Sequence, residues 1–75
     1  MTIEEANSKY AGKLLAYEDK TPRFLIVGFT EGLTILKPIG ERYDFSTRVD
    51  ILSHIIKGDW FALLNNDNTI KYEIY

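Results

Sequence analysis

The sequence predicts a small α+β domain. It is either a strongly curved five-stranded antiparallel sheet or an SH3-like barrel, with an N-terminal helix and a second helix between the third and fourth strands. Three observations lead there. Residues 24–29 and 33–36 are apolar runs rich in β-branched and aromatic side chains, joined by Thr30-Glu31-Gly32, as in a hairpin. Capping signals followed by apolar residues at helical spacing occur twice, at residues 2–12 and 47–58. In residues 69–75, Ile70, Tyr72 and Ile74 alternate with Lys71 and Glu73, the pattern of a half-exposed strand.

Taken in order, Thr2-Ile3-Glu4-Glu5 fits a capping box, in which Thr2 and Glu5 each satisfy one of the helix's unpaired amides. Ile3, Ala6 and Tyr10 share a face of that helix and Gly12 stops it. About two turns of helix are too few to be stable alone, so this one must pack on the sheet. Residues 13–18 (KLLAYE) form the first strand, and residues 18–22 a polar loop in which Pro22 holds Thr21 extended. Strand two, residues 24–29, is apolar at both parities and therefore expects cover on both faces. Gly28 inside it points to a bulge, tight coiling or close packing of the first helix. Strand three ends at Lys37-Pro38, because proline has no ladder donor.

Residues 40–48 (GERYDFSTR) are the least regular stretch and read as a lid folded under the second helix, over Phe45 and Tyr43. Thr47 to Asp50 is a weaker capping box. Val49, Leu52, Ile55 and Ile56 then form an apolar face down to Gly58, opposite Asp50, Ser53, His54 and Lys57. Residues 60–64 (WFALL) form the fourth strand, residues 65–68 (NNDN) a turn and residues 69–75 the fifth strand.

Seventy-five residues make one domain, spanning 1–75. A chain this short buries about 60% of its unfolded surface and leaves a net stability of only ~3–5 kcal/mol. The chain has no cysteine, which excludes disulfides, thiolate metal sites and cysteine nucleophiles and favours a reducing compartment. The acidic start Thr2-Ile3-Glu4-Glu5 is unlike a signal peptide, and no apolar run approaches the ~20 residues of a membrane span. A soluble cytoplasmic protein is expected, in size and style a bacterial or phage accessory protein. The formal charge of −2 disfavours generic duplex binding, which depends on Lys and Arg neutralising phosphates.

No catalytic or metal-binding constellation stands out. His54, the one histidine, reads as a solvated helical residue; as a general base it would use Asp50, one turn earlier, to orient it. The glycines match no phosphate-binding fingerprint, and residues 65–68 lack the alternating acids of a calcium loop. No cofactor and no metal are expected.

What remains is aromatic. Ten residues are Phe, Tyr or Trp, more than so small a core must enclose. Tyr43 and Phe45 lie beside Arg42 and Arg48, the pairing that interface hot spots favour, and Trp60 stands at the turn before the fourth strand. Arg42, Tyr43, Phe45, Arg48 and Trp60 are therefore the candidate partner-binding residues of a small non-enzymatic protein-binding module, a regulator or inhibitor that occludes a partner surface. Nucleic-acid or nucleotide binding on the barrel surface is the alternative, disfavoured by dispersed basic residues. Unprotected sheet edges leave a homodimer as open as a monomer.

Overall fold

The computed structural model describes residues 1–63. The first helix, α1 (Ile3–Tyr10), begins where its cap dictates. Thr2 Oγ1 accepts from the Glu5 amide at 3.1 Å and Glu5 Oε1 accepts from the Thr2 amide at 3.3 Å, completing the capping box. Ala6 and Tyr10 are buried against the sheet, whereas Ile3 is exposed.

Five strands follow: β1 (Leu14–Ala16), β2 (Pro22–Thr30), β3 (Leu33–Pro38), β4 (Phe45–Thr47) and β5 (Phe61–Leu63), with α2 (Ile51–Lys57) between the last two. They form one antiparallel sheet in the order β4-β3-β2-β1-β5. The β2–β3 hairpin pairs Thr30 with Leu33, and Gly32 takes φ 76° in its turn, a value L side chains rarely adopt. After β4 the chain carries α2 across the sheet and deposits β5 beside β1, at the opposite edge.

A bulge in β2 explains its apolar residues at both parities. Ile26 pairs with Leu36 but Gly28 with Ile35, so Val27 is an extra residue and the face changes parity there. Ile26 and Phe29, three apart, consequently point into the same core as Leu15, Leu36, Ala6, Tyr10 and Ile51. Both helices therefore cover one face. On the other, Leu14, Ala16 and Lys37 are buried while Val27 is exposed, so the expected double cover is met at β1 and only in part along β2.

Gly28 also permits a close approach. Asn7 of α1 donates from Nδ2 to the Phe29 carbonyl at 2.9 Å and accepts at Oδ1 from the Phe29 amide at 2.7 Å. β1 pairs no further along β2 than Leu25, apart from flanking bonds between Ile26 and Gly12 and Lys13. Beyond that point the carboxamide of Asn7 takes the place of a neighbouring strand. A Cβ on Gly28 would lie 3.0 Å from Asn7 Oδ1, so the glycine keeps this contact open.

Several expectations are corrected. Among the described residues the sheet is open, with β4 and β5 as its edges, and is not closed into a barrel. Residues 45–47 form a strand and not part of an irregular lid, which places the second helix between the fourth and fifth strands. Phe45 does pack inward, half-buried and edge-on to Phe24 with ring centroids 5.7 Å apart, but Tyr43 is 57% exposed. The cap of α2 is Asp50, whose carboxylate accepts from the Ser53 amide and hydroxyl, while Thr47 Oγ1 accepts from the Val49 amide. Helix α2 therefore begins at Ile51, and Ile51, Leu52 and Ile55 face the core while Val49 and Ile56 are exposed. The predicted turn at 65–68 and strand at 69–75 lie outside the described residues.

Three carboxylates are held below their ordinary range by bonds formed on folding. The Thr2 amide does this for Glu5, the Thr21 amide and then Arg23 for Asp19, and the Ser53 hydroxyl and amide for Asp50. Each group then titrates lower in the folded than in the unfolded chain. Its stabilisation is present above the unfolded carboxylate range and is lost as pH falls through the folded value. The urea midpoint is expected to fall as pH drops below about 5; a midpoint that rose with acid would contradict these bonds.

Candidate interaction cleft

Three separate pieces of chain meet at the tip of the β2–β3 hairpin. They are the first turn of α1, the hairpin itself and the link from β4 to α2, and together they enclose a cleft of about 300 Å³. Ala6, Phe29, Leu33, Leu52, Ile3 and Val49 supply the apolar part of its lining, and polar groups, those of Thr30 and Thr34 among them, contribute nearly as much of its surface. Ile3 and Val49 each stand beside a helix cap. Ile3 is the first residue after the Thr2 cap and stays exposed, unlike Ala6 and Tyr10 further along the helix. Val49 precedes the Asp50 cap, a position that commonly packs against an apolar residue in the helix's second turn; the residue there is His54. Without that staple Val49 stays 50% exposed.

Six large apolar side chains among the described residues are exposed, and three of them, Met1, Ile3 and Val49, line this one cleft. Scattered exposed hydrophobes need no explanation, whereas gathered ones mark contact sites. Two charged residues complete the lining. Asp50 is engaged by Ser53, with bonds of 3.1 Å from the amide and 2.7 Å from the hydroxyl. Arg48 is exposed and makes no ion pair among the described residues.

The five residues singled out from the sequence are not brought together. Arg48 reaches the cleft at the C-terminal end of β4. Arg42 and Tyr43 precede the other end of that strand and are exposed. Phe45 lies between them with its ring on Phe24, and Trp60 stands at the α2–β5 junction, 4.7 Å from Tyr17 and stacked 4.0 Å from His54. Ile3, Leu33 and Val49 were missed because helical spacing and strand parity assign them to the interior.

His54 sits on the helix as its spacing suggests, with its side chain 36% exposed and so only partly solvated. Its ring lies on Trp60, and its Nδ1 faces Asp59 Oδ2 at 3.5 Å while Asp50 serves as the helix cap. Lys57 Nζ stands 3.7 Å from the same Asp59 oxygen. The group ties off α2: the His54 carbonyl accepts from the amides of Gly58, Asp59 and Trp60. Among the described residues no group of three or more His, Cys, Asp or Glu is placed to hold a metal ion, and no helix is long and apolar enough to cross a membrane. No family model, curated protein or solved structure matches this chain.

Proposed function

We propose that this chain is a small non-enzymatic protein-binding module, a regulator or inhibitor that works by occluding the surface it docks on. One observation carries the proposal: Met1, Ile3 and Val49 are exposed around a single cleft that also holds Arg48. Burying such a rim supplies about 25 cal/mol per Å² of apolar area removed from water. The docking surface is centred on Ile3, Arg48 and Val49, with Tyr43 at the far end of β4 as a second contact. A second copy of the chain is one partner this surface admits, and a mass that rises with concentration would identify it.

Ile3→Asp and Val49→Asp test the proposal without opening the core, since both side chains are exposed in the free protein. The tagged wild type and each variant are passed over nuclease-treated lysate of the native host. The variants are expected to lose a stoichiometric protein partner that the wild type retains, with unchanged circular dichroism. Equal recovery by all three would reject the cleft. Retention that disappears only with nuclease would favour the alternative of nucleic-acid binding, which phosphate contacts would make strongly salt-dependent.

A further inference from the structure

Taking the chain as a protein-binding module, we infer that the cleft between α1, the β2–β3 hairpin and the β4–α2 link receives a linear peptide segment of another protein. The segment carries one large apolar side chain, which enters the cleft, and an Asp or Glu within two residues of it, which meets Arg48. Size supports the first part. At about 300 Å³ the cleft lies at the lower limit of small-molecule sites and would hold roughly ten waters at their liquid volume of about 30 Å³ each. That suits one side chain, with some backbone, better than a cofactor.

Chemistry narrows it further. The lining joins the apolar side chains of Ala6, Phe29, Leu33 and Leu52 to polar groups that include Thr30 and Thr34. An aliphatic or aromatic side chain would bury against the first set while the backbone of a peptide bonds to the second, so an amphipathic segment matches both. Selectivity then has to come from the rim, where the two charges differ in their freedom. Asp50 is committed to Ser53 through both its oxygens. Arg48 is exposed and makes no ion pair among the described residues, so a carboxylate is the group it is placed to take, in a bidentate pair. Asp50 on the same rim repels an acid from that side, which fixes which way the peptide runs.

The probe is a displayed library of random 12-residue peptides selected on the intact protein, followed by anisotropy measurements on the enriched sequences. Enriched peptides are expected to share Leu, Ile, Met or Phe within two residues of Asp or Glu. Arg48→Ala should weaken them about fivefold to tenfold, as an ion pair partly shielded from water would. Replacing the acid of the peptide with its amide should weaken binding to wild type equally and add nothing to Arg48→Ala. Arg48→Glu should shift the selected set towards Lys and Arg, while Val49→Asp should abolish binding of all of them. Enrichment without an acidic residue, or affinity unchanged in Arg48→Ala, overturns the inference. So does a library that yields no binder. If the library fails while Ile3→Asp still strips the lysate partner, the peptide inference falls and the module stands. If Ile3→Asp retains that partner, the cleft falls as the docking surface of the module.

Discussion

Asn7→Ala is expected to remove most of the stability of this domain. Two hydrogen bonds disappear together, Nδ2 to the Phe29 carbonyl at 2.9 Å and the Phe29 amide to Oδ1 at 2.7 Å, and both backbone groups belong to a residue buried in the core cluster. A buried polar group left without a partner costs about 1–3 kcal/mol, so the pair together costs about 2–6 kcal/mol. A chain this small has only ~3–5 kcal/mol to lose. The thermal midpoint should drop on the order of 15 °C, and the Phe29 amide should lose its protection from hydrogen exchange. Gly28→Ala reaches the same contact from the strand side, because its Cβ would press on Asn7 Oδ1 at 3.0 Å. The two substitutions should therefore be less than additive, since removing the carboxamide also removes the obstruction. Full additivity in urea titrations would mean that the cost of the methyl group does not come from Asn7.

How much of this was legible in the sequence depends on the length of the signal. The hairpin was readable because each run has several β-formers and the turn has a glycine, and Gly28 was readable because a glycine inside such a run demands a reason. β4 was not, because Phe45, Ser46 and Thr47 are three residues between charged neighbours, too few to show alternation. The strand exists because Leu36, Ile35 and Thr34 of β3 offer it a ladder, a tertiary fact. The cleft was hidden for a related reason. Thr47 reads as the cap with Asp50 as its capping-box partner, and starting the helix at Thr47 places Val49 inside it and on its inner face. In the structure Asp50 caps the helix through both backbone and hydroxyl of Ser53, and Val49 stands outside it. The candidate site thus turns on a three-residue difference in where one helix starts. Arg48 alone of the five residues picked for their chemistry lies at the cleft, because hot-spot composition says which side chains favour an interface and not where the chain brings them.

The same difference yields the second large effect, at Ile51. Helical spacing read from Val49 puts Ile56 on the inner face and gives Ile51 no part in it; the structure reverses them, with Ile51 3% exposed and Ile56 59% exposed. Ile51 is the buried anchor of α2 and joins Leu15, Ile26, Phe29 and Leu36 in the core. Trimming it to alanine removes buried methyl groups and leaves a void, at a cost of about 2–5 kcal/mol, whereas Ile56→Ala should stay within about 0.5 kcal/mol. The loss at Ile51 also carries a functional consequence that a change at Ile56 does not. Ile51 directly follows Asp50 and lies two residues after Val49, so it fixes one wall of the cleft to the core. Ile51→Ala is therefore expected to weaken capture at the cleft even at temperatures where most molecules remain folded, while Ile56→Ala leaves capture and urea midpoint unchanged. Equal effects of the two substitutions on the urea midpoint would restore the helical face read from the sequence and detach Val49 from the site. A large loss at Ile51 with intact capture would keep the core assignment but show that the wall holds its position through Asp50 and Thr47 alone.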